Sequence, residues 1–408
     1  MSSKEIKNSK KCKKKEAIEP SDLVGFKPLK KFISLLEPLH SVKQHHNRDL
    51  HFDQYTALVL LYFFNPVLTS LRGIQQVSHF DKVKKSLGIK GASLGSLSEA
   101  SNVFDAELLA PIIKDLAKKA LPVEKDASLK ELQQTLVATD GTLLPALPKM
   151  LWALWLDDQN KAAKLHLEFD ILKHTPINYK VTDANTNEKS VFRDFLSANK
   201  LYVTDAGYSE YKLLQEIIDA KSSFINRIRD NAIWDLLEER PLTSDDKKAG
   251  VQRDLVVQLG SKSKQGDIKA PIRIIEVFHQ GDSSRPRKSR VSSKKSFRTT
   301  ESDYTFPLAT DRMDLSAEMI ALIYRYRWQI ELFFRWFKCI LGCKHLLAHS
   351  ENGVTIQVYC ALIASMLITL WTGAKPNKRT FEMLSMYFMG WATDNDLTRH
   401  LEKLKSAN

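Results

Sequence analysis

The chain has 408 residues, of which 43% are hydrophobic and 27% are charged, so it is long enough for two or three folded domains and too apolar for a disordered protein. Lysine and arginine total 61 against 48 aspartates and glutamates, a formal net charge of +13 that favours a polyanionic partner such as nucleic acid. A soluble basic protein with no such partner is the alternative interpretation of the charge. Four cysteines are too few for a disulfide scaffold and fit a reducing cytosol.

Residues 1–26 are predicted to form a basic, solvated tail, because the first sixteen contain seven lysines and no apolar signal segment. Residues 27–125 have apolar side chains at helical spacing and are predicted to form a helical domain. Within Leu94–Lys119, Pro111 is expected to kink or split the helix. The domain is predicted to recognise DNA ends, with a helical cap on the main domain as the alternative.

After Pro122 short β-type segments replace the helical pattern, and helical segments separate some of them. This order predicts an α/β domain over 126–229 and 311–372, with helices packed on a mixed sheet. The predicted strands are Leu136–Thr139, Ala163–Leu172, Ile177–Thr182, Leu201–Thr204 and Phe224–Ile228, and the predicted helices are Ser190–Ala198 and Ser209–Ala220.

Residues 230–310 interrupt this pattern and are predicted to form a β-rich insertion, with strands at Val251–Leu259 and Ile272–Phe278. The polar segment Gly281–Thr300 contains seven basic residues and one acidic residue, so it is interpreted as a loop along DNA phosphates or as a solvated loop. Residues 373–408 are predicted to be helical. The apolar run Val358–Trp371 is short for a membrane span and is predicted to be a buried helix.

Two aspartates follow predicted strands and precede a glycine that allows a sharp turn. They are Asp140, in Leu-Val-Ala-Thr-Asp-Gly-Thr, and Asp205, in Leu-Tyr-Val-Thr-Asp-Ala-Gly-Tyr. Functional sites of α/β sheets gather at strand ends, where two carboxylates on neighbouring strands can share a cation. Taken singly, an aspartate in such a turn is more often structural than catalytic.

A third acid lies on a predicted helix over residues 315–340. Tyr324, Arg327, Glu331 and Lys338 follow at i, i+3, i+7 and i+14 and therefore form one stripe on the helix. The opposite face is predicted to be buried through Leu322, Tyr326, Ile330, Phe333, Phe337 and Ile340. With Arg335 also nearby, Glu331 is either a salt-bridge partner or a metal ligand flanked by phosphate-binding cations.

The spacing Tyr-x2-Arg-x3-Glu-x6-Lys resembles the signature of the insertion-sequence-four family of DDE transposases. Thr139-Asp140-Gly141-Thr142 is similar to the first aspartate motif of that family, and Asp205-Ala206-Gly207-Tyr208 to the second. Ala206 departs from the arginine that is usual there. The resemblance covers about residues 130–370.

The resemblance implies a ribonuclease-H-like mixed sheet flanked by helices, with the β-rich insertion between the fifth strand and the glutamate helix. It implies a DNA transposase that cleaves element ends and joins them to target DNA. Asp140, Asp205 and Glu331 would be catalytic and would hold two Mg²⁺ or Mn²⁺ ions, since carboxylates suit such cations. Tyr324, Arg327, Lys338 and Arg335 would bind phosphates. The protein is expected to act as a homodimer on two DNA ends. It is expected in a bacterial cytoplasm, associated with the nucleoid and not with a membrane.

Other functions stay open at this point. A catalytically inactive, domesticated DNA-binding protein is one, and a ribonuclease-H-type nuclease without strand transfer is another. A base flipped out of a DNA hairpin would stack on an aromatic residue, for which Trp234, Trp328 and Phe297 are candidates. The spacing of Cys339, Cys343, His345 and His349 matches no standard zinc finger. His166 is predicted to be a packing residue. The sequence contains no Gly-rich loop of the Walker type, so no dependence on ATP is expected.

Overall fold

The computed structural model describes residues 33–42, 48–124, 126–130, 132–157, 159–260, 267–280, 286–287, 299–300 and 303–406. The chain divides into two compact units. The first comprises the described residues up to Phe104 together with Glu382–His400, and the second comprises Asp105–Phe381 together with the described residues from Leu401 onward. The three acids predicted to be catalytic therefore belong to the second unit.

The first unit contains helices α1 (Phe52–Phe64), α2 (Leu71–Ser78), α3 (Asp81–Leu87) and α4 (Leu94–Val103). Nearly every side chain of α1 is buried, so this helix forms the centre of the unit. Serine side chains start two of the others, because Ser70 accepts a hydrogen bond from the amide of Gly73 and Ser93 accepts one from that of Ser96.

Pro111 marks the start of a helix, and the predicted split between Leu94 and Lys119 is confirmed. After α4, a 3₁₀ turn over Ala106–Leu109 leads into α5 (Ala110–Lys119). Pro111 lies in the first turn of α5, where its missing amide hydrogen removes no helical hydrogen bond. A short helix α6 (Ala127–Lys130) follows.

The second unit is built on a sheet whose first five strands lie in the order β3-β2-β1-β4-β5. β1 pairs antiparallel with β2, β2 pairs antiparallel with β3, and β1, β4 and β5 run parallel. This mixed order confirms the predicted ribonuclease-H-like α/β class. The strands are β1 (Thr135–Ala146), β2 (Lys161–Asp170), β3 (Thr175–Asp183), β4 (Lys200–Thr204) and β5 (Ser223–Arg227), and the helices that connect the later ones are α7 (Glu188–Phe195) and α8 (Tyr211–Asp219).

Apolar side chains of α7 and α8 cover the sheet. Phe192 from α7 and Leu213 and Ile217 from α8 pack in one buried cluster with Tyr202 and Phe224 from the parallel strands. Each such side chain contributes about 1.5–3 kcal/mol by leaving water. This packing holds the strands of the two predicted aspartates in place. Asp205 directly follows β4 as predicted, whereas Asp140 lies within β1, because this strand continues to Ala146 in its pairing with β2.

The predicted β-rich insertion contains the expected strands, but they extend the same sheet. The order continues β5-β11-β8-β7-β6, which gives nine strands in all. β11 was not predicted; it pairs with β5 on one side and β8 on the other and so joins the two halves of the sheet. The elements are β6 (Trp234–Glu239), α9 (Ser244–Lys248), β7 (Val251–Leu259), β8 (Ile272–His279), β9 (Pro286–Arg287), β10 (Thr299–Thr300) and β11 (Tyr304–Thr310). Most of the predicted basic loop lies outside the described residues.

The glutamate helix is interrupted, whereas a single helix was predicted. It comprises α10 (Ala317–Tyr326), α11 (Trp328–Arg335) and a π-helical turn over Trp336–Ile340. At Arg327 the backbone bonds span three residues instead of four, from Arg327 to Tyr324 and from Ile330 to Arg327, which tightens the turn between α10 and α11.

The buried face of this helix also differs from the prediction. Ile330, Phe333 and Phe337 are buried as expected, and Trp336 is buried as well. Leu322, Tyr326 and Ile340 are only partly buried. The tight turn at Arg327 and the wider π turn both change the angles between side chains along the helix, so one regular spacing does not predict which of them face the core.

The remaining helices are α12 (Glu351–Thr372), α13 (Lys378–Met389) and α14 (Asp394–Ser406). Among the described helices, α12 is the one that is long and apolar enough to cross a membrane, and 94% of its apolar window is buried inside the protein. The prediction of a buried helix over Val358–Trp371 is therefore confirmed.

Glu168 on β2 is fully buried, and it gives the protein a testable pH dependence. Its Oε2 accepts a hydrogen bond of 2.7 Å from Asn178, and burial raises the pKa of its carboxyl group to about 8. The unfolded chain releases this proton above about pH 4.5, whereas the folded chain keeps it until about pH 8. Because the folded pKa is raised, the stability contribution is present at low pH and decreases as pH rises across this window.

We expect the free energy of unfolding of Glu168→Gln, relative to that of the wild-type protein, to rise by roughly 3 kcal/mol between pH 5 and pH 8. Denaturant unfolding of both proteins at several pH values measures this difference. The other titratable groups are the same in both proteins, so their contributions cancel. A difference that does not change with pH would contradict the expectation.

Candidate active site

The strand register places the two predicted aspartates side by side. In the parallel pair β1 and β4, Val137 lies opposite Tyr202 and Ala138 opposite Val203. Two residues further along the two strands come Asp140 and Asp205. Neighbouring strands are about 4.8 Å apart, so the carboxylates leave the same edge of the sheet within reach of one cation.

Backbone amides and one asparagine fix these carboxylates. The amide of Gly141 donates to Oδ1 of Asp140 at 2.8 Å, and the amide of Gly207 donates to Oδ1 of Asp205 at 2.8 Å. Nδ2 of Asn226 on β5 donates to the backbone oxygen of Asp205 at 2.8 Å. Asn226 was not predicted as a site residue, because only the register of β4 and β5 brings it beside Asp205.

The carboxyl group of Asp140 has a raised pKa, mainly because it is buried. Burial, together with the charges of Asp205 and Glu188, raises this pKa to about 7, although the hydrogen bond from Gly141 and the charge of Arg327 lower it. Carboxylate oxygens that lie close together are the donors that Mg²⁺ or Mn²⁺ prefers. The residues at this edge therefore fit a divalent cation.

Glu331 is paired with an arginine in this structure. Its Oε1 accepts a hydrogen bond of 2.6 Å from Arg327. The positive charge of Arg327 also partly offsets the burial that raises the pKa of Asp140, so this arginine interacts both with Glu331 on its helix and with the aspartate on β1. Within the described ranges, no three His, Cys, Asp or Glu side chains are placed to hold a metal ion. The structure thus brings Asp140 and Asp205 together and leaves Glu331 with Arg327.

The other predicted phosphate-binding residues differ in position. Nζ of Lys338 donates to Oγ1 of Thr142 at 2.8 Å, two residues beyond Asp140 on β1. The guanidinium of Arg327 lies 5.8 Å from the ring centroid of Tyr324, whose charge interactions include Asp205. Arg335 is exposed on α11. Lys338, Tyr324 and Arg327 are therefore at the site.

Arg227, at the end of β5, is a cation that the sequence analysis missed. Its guanidinium lies 5.0 Å from the ring centroid of Phe306, and Phe306 contacts Tyr324 with ring centroids 5.6 Å apart. Burial raises the pKa of Tyr324, and the charges of Arg327 and Arg227 partly oppose this increase. The signal available in the sequence was a charged residue inside the predicted apolar strand Phe224–Ile228.

The aromatic candidates for base stacking are distributed differently. Trp328 follows Arg327 and is 44% exposed. Trp234 is partly buried against the core. Phe297 lies outside the described residues. Of the two described candidates, Trp328 therefore has the more accessible side chain.

The predicted non-catalytic residues are also accounted for. Nε2 of His166 lies 2.9 Å from Oγ1 of Thr182, and the histidine is buried as predicted for a packing residue. Cys343 and Cys360 are buried free thiols, whereas Cys339 is exposed.

Comparison with known proteins decides the family. Residues 131–367, more than half of the chain, match the transposase DDE domain family. The chain belongs to the DDE transposase family. The matched segment contains Asp140, Asp205 and Glu331, and it confirms the resemblance drawn from their motifs. The family generally uses divalent metal ions, in accord with the carboxylates at the sheet edge.

Individual relatives support the same family. The chain is 29% identical over 60% of its length to a putative transposase, y4zB, from Sinorhizobium fredii, of which the match covers 62%. It is 23% identical over 81% of its length to a probable transposase for insertion sequence element IS5377 from Geobacillus stearothermophilus, of which it covers 80%. It is also 23% identical over 70% of its length to a putative transposase for insertion sequence element IS4SA from Synechocystis, of which it covers 74%. The two insertion-sequence names agree with an insertion-sequence-four type of DDE transposase.

Proposed function

We propose that this DDE transposase cuts DNA strands at the ends of a mobile element and joins those ends to target DNA. The observation that carries the proposal is the register of β1 and β4, which sets Asp140 beside Asp205. The helix that carries Glu331 packs against the same strand, since α11 contacts β1.

Asp140, Asp205 and Glu331 would hold two Mg²⁺ or Mn²⁺ ions. When bound, such ions polarise a phosphodiester and make an attacking oxygen more nucleophilic. Glu331 must leave Arg327 to take part. A second anion that pairs with Arg327 would make this exchange favourable, because the guanidinium then keeps a partner.

A DNA phosphate is the anion that fits Arg327. The side chain is largely buried, and its Nε is a buried donor without an acceptor among the described residues. Buried donors of this kind cost about 1–3 kcal/mol until an acceptor arrives. Lys338 and Tyr324 lie at the same site and would position the phosphate beside the two aspartates.

The reaction follows from this placement. An oxygen of water would attack the phosphorus and form one P–O bond while the bond to the 3′ oxygen breaks, which leaves a 3′-hydroxyl and a 5′-phosphate. The same site would then place that hydroxyl against a phosphate of target DNA for joining. Two element ends require two such sites, so we propose a homodimer on DNA, acting in the cytoplasm at the nucleoid.

A metal-dependence assay tests the proposal. We expect the full-length protein to nick a labelled duplex taken from the DNA that flanks its gene in Mg²⁺ or Mn²⁺, and to bind but not cut it in EDTA. Cutting without joining would favour a nuclease. Binding without cutting in both metals would contradict the proposal and favour a non-catalytic DNA-binding protein, for which Ala206 is the departure to examine.

A further inference from the structure

Asn226 on β5 is a fully buried amide beside the turn that carries Asp205. Its Nδ2 donates to Oγ1 of Thr204 at 2.7 Å and to the backbone oxygen of Asp205 at 2.8 Å. The parallel ladder of β4 and β5 ends at the pair of Thr204 and Asn226. Further along β5, the amide of Ile228 donates to the backbone oxygen of Pro307 on β11 instead. The side chain of Asn226 is therefore the donor that β5 supplies to the backbone oxygen of Asp205.

The backbone oxygen of Asp205 belongs to the turn that orients the carboxylate. The amide of Tyr208 donates to the same oxygen at 3.2 Å, and the amide of Gly207 donates to Oδ1 of Asp205 at 2.8 Å. Asn226 thus holds this carbonyl group from the sheet, while Tyr208 holds it from the 3₁₀ turn that follows. Because the carbonyl group and the side chain branch from the same Cα atom, Asn226 fixes the direction in which the carboxylate leaves the sheet.

The amide of Asn226 is costly for folding. Its Oδ1 is buried and has no hydrogen-bond partner among the described residues. An apolar side chain of similar shape, such as leucine, would avoid an unpaired acceptor inside the sheet. The position therefore carries a polar group for a reason other than stability, and the contact with Asp205 supplies that reason.

A row of polar side chains crosses the sheet one residue before the two aspartates of the site. The strand register places Asn178, Glu168 and Thr139 side by side on β3, β2 and β1. Thr204 and Asn226 continue the row on β4 and β5. At the β3 end, Nδ2 of Asn178 donates to Oε2 of Glu168 at 2.7 Å. The two asparagines make hydrogen bonds of the same kind, but Asn226 is the one bonded to a predicted catalytic residue.

We propose, on the basis of the proposed function, that Asn226 is a positioning residue for strand cleavage. Because its side chain is fully buried, it acts through the backbone of Asp205 and not on DNA. It sets where the carboxylate of Asp205 lies relative to that of Asp140, and so the spacing of the ligands that would share the cations. DNA affinity depends instead on phosphate contacts of cationic side chains, which Asn226 does not touch.

Single-turnover nicking of the labelled duplex by the full-length protein tests this role. We expect Asn226→Leu to lower the maximal rate constant of cleavage by about 10- to 100-fold, as loss of a residue behind a metal ligand does. The protein concentration that half-saturates the DNA should stay unchanged. Thr204→Val keeps the bond from Asn226 to Asp205 and should cleave at close to the wild-type rate. Asn226→Ala repeats the test with a smaller side chain, in case leucine disturbs the packing.

Asn178→Leu is the matched control, since it removes the hydrogen bond to Glu168 at the other end of the row. It should lower the temperature of unfolding, because a buried carboxyl group loses its donor, and leave the rate constant of cleavage unchanged. Equal rate constants for Asn226→Leu and the wild type, or equal losses in Asn226→Leu and Asn178→Leu, would overturn the inference.

Hydrogen exchange of the protein without DNA or metal separates this inference from the proposed function. The amide of Tyr208 bonds to the oxygen that Asn226 holds, so Asn226→Leu should speed exchange in the peptide that contains Tyr208, whereas Asn178→Leu should not. A wild-type protein that cuts no DNA in Mg²⁺ or Mn²⁺ would show that the proposed function is wrong. Unchanged exchange at Tyr208 in Asn226→Leu would by itself overturn the positioning role.

Discussion

Asp140→Asn and Asp205→Asn will each reduce strand cleavage by about 10³-fold or more while the protein stays folded. Each change replaces a carboxylate that we propose to be a metal ligand by a neutral amide of the same shape, and loss of one such ligand removes several kcal/mol of transition-state stabilisation. Asn can still accept the amide hydrogen bonds from Gly141 and Gly207. Initial rates of nicking on the labelled duplex in Mg²⁺ measure the effect.

Asp140→Asn should keep or gain stability although it loses activity. The pKa of Asp140 is raised to about 7, mainly by burial, so the charged carboxylate is unfavourable in the folded protein above that pH. Asp140→Asn removes this cost, and its unfolding midpoint at pH 8 should equal or exceed that of the wild type. Loss of activity without loss of stability would identify a functional role.

Asp183→Asn is the control for both variants. Asp183 also ends a strand, and its Oδ1 accepts hydrogen bonds from the amides of Asn185 and Thr186, but β3 is the outer strand of the sheet. This variant should cleave DNA at close to the wild-type rate. Undiminished cutting by Asp205→Asn would refute the assignment of the site.

Arg273→Ala will destabilise the protein by about 3–5 kcal/mol, the largest effect on stability that we expect from one substitution. Arg273 on β8 and Asp254 on β7 are almost fully buried, and the guanidinium donates to both carboxylate oxygens, at 2.8 and 2.7 Å. Its Nη1 also donates to the backbone oxygens of Arg312 and Leu315, at 3.2 and 2.5 Å. Removing Arg273 leaves a buried carboxylate and two carbonyl groups without this donor.

The effect should extend to catalysis, because Leu315 directly precedes the cap of α10. Urea unfolding gives the stability, and the nicking assay gives the activity. Arg253→Ala is a matched control on β7, since Arg253 is exposed and its contacts with Glu239 and Glu276 are surface ion pairs worth less than about 1 kcal/mol. If Arg273→Ala and Arg253→Ala unfold at the same urea concentration, the buried pair does not stabilise the sheet as inferred.

The sequence identified most of the local elements of the catalytic unit. Alternating and continuous apolar segments located β1 to β5, β7 and β8, and helical spacing located α7 and α8. The same analysis missed β11, whose Tyr-Thr-Phe-Pro-Leu-Ala-Thr sequence contains a proline, a residue that sequence analysis assigns to sheet edges. It also did not anticipate that the strands of the insertion continue the first sheet.

The motifs by themselves determined the family and the three candidate acids, because short spacings on one helix or at one strand end are fixed by local geometry. Only the tertiary structure decided which groups meet across long separations. The register of β1 and β4 puts Asp140 beside Asp205, although 64 residues separate them in the chain. The approach of Glu188 to Gly141 and the position of Arg227 depend on how strands and helices pack, whereas the pair of Arg327 and Glu331, four residues apart on one helix, is local. Residue spacing in the sequence does not encode those distances.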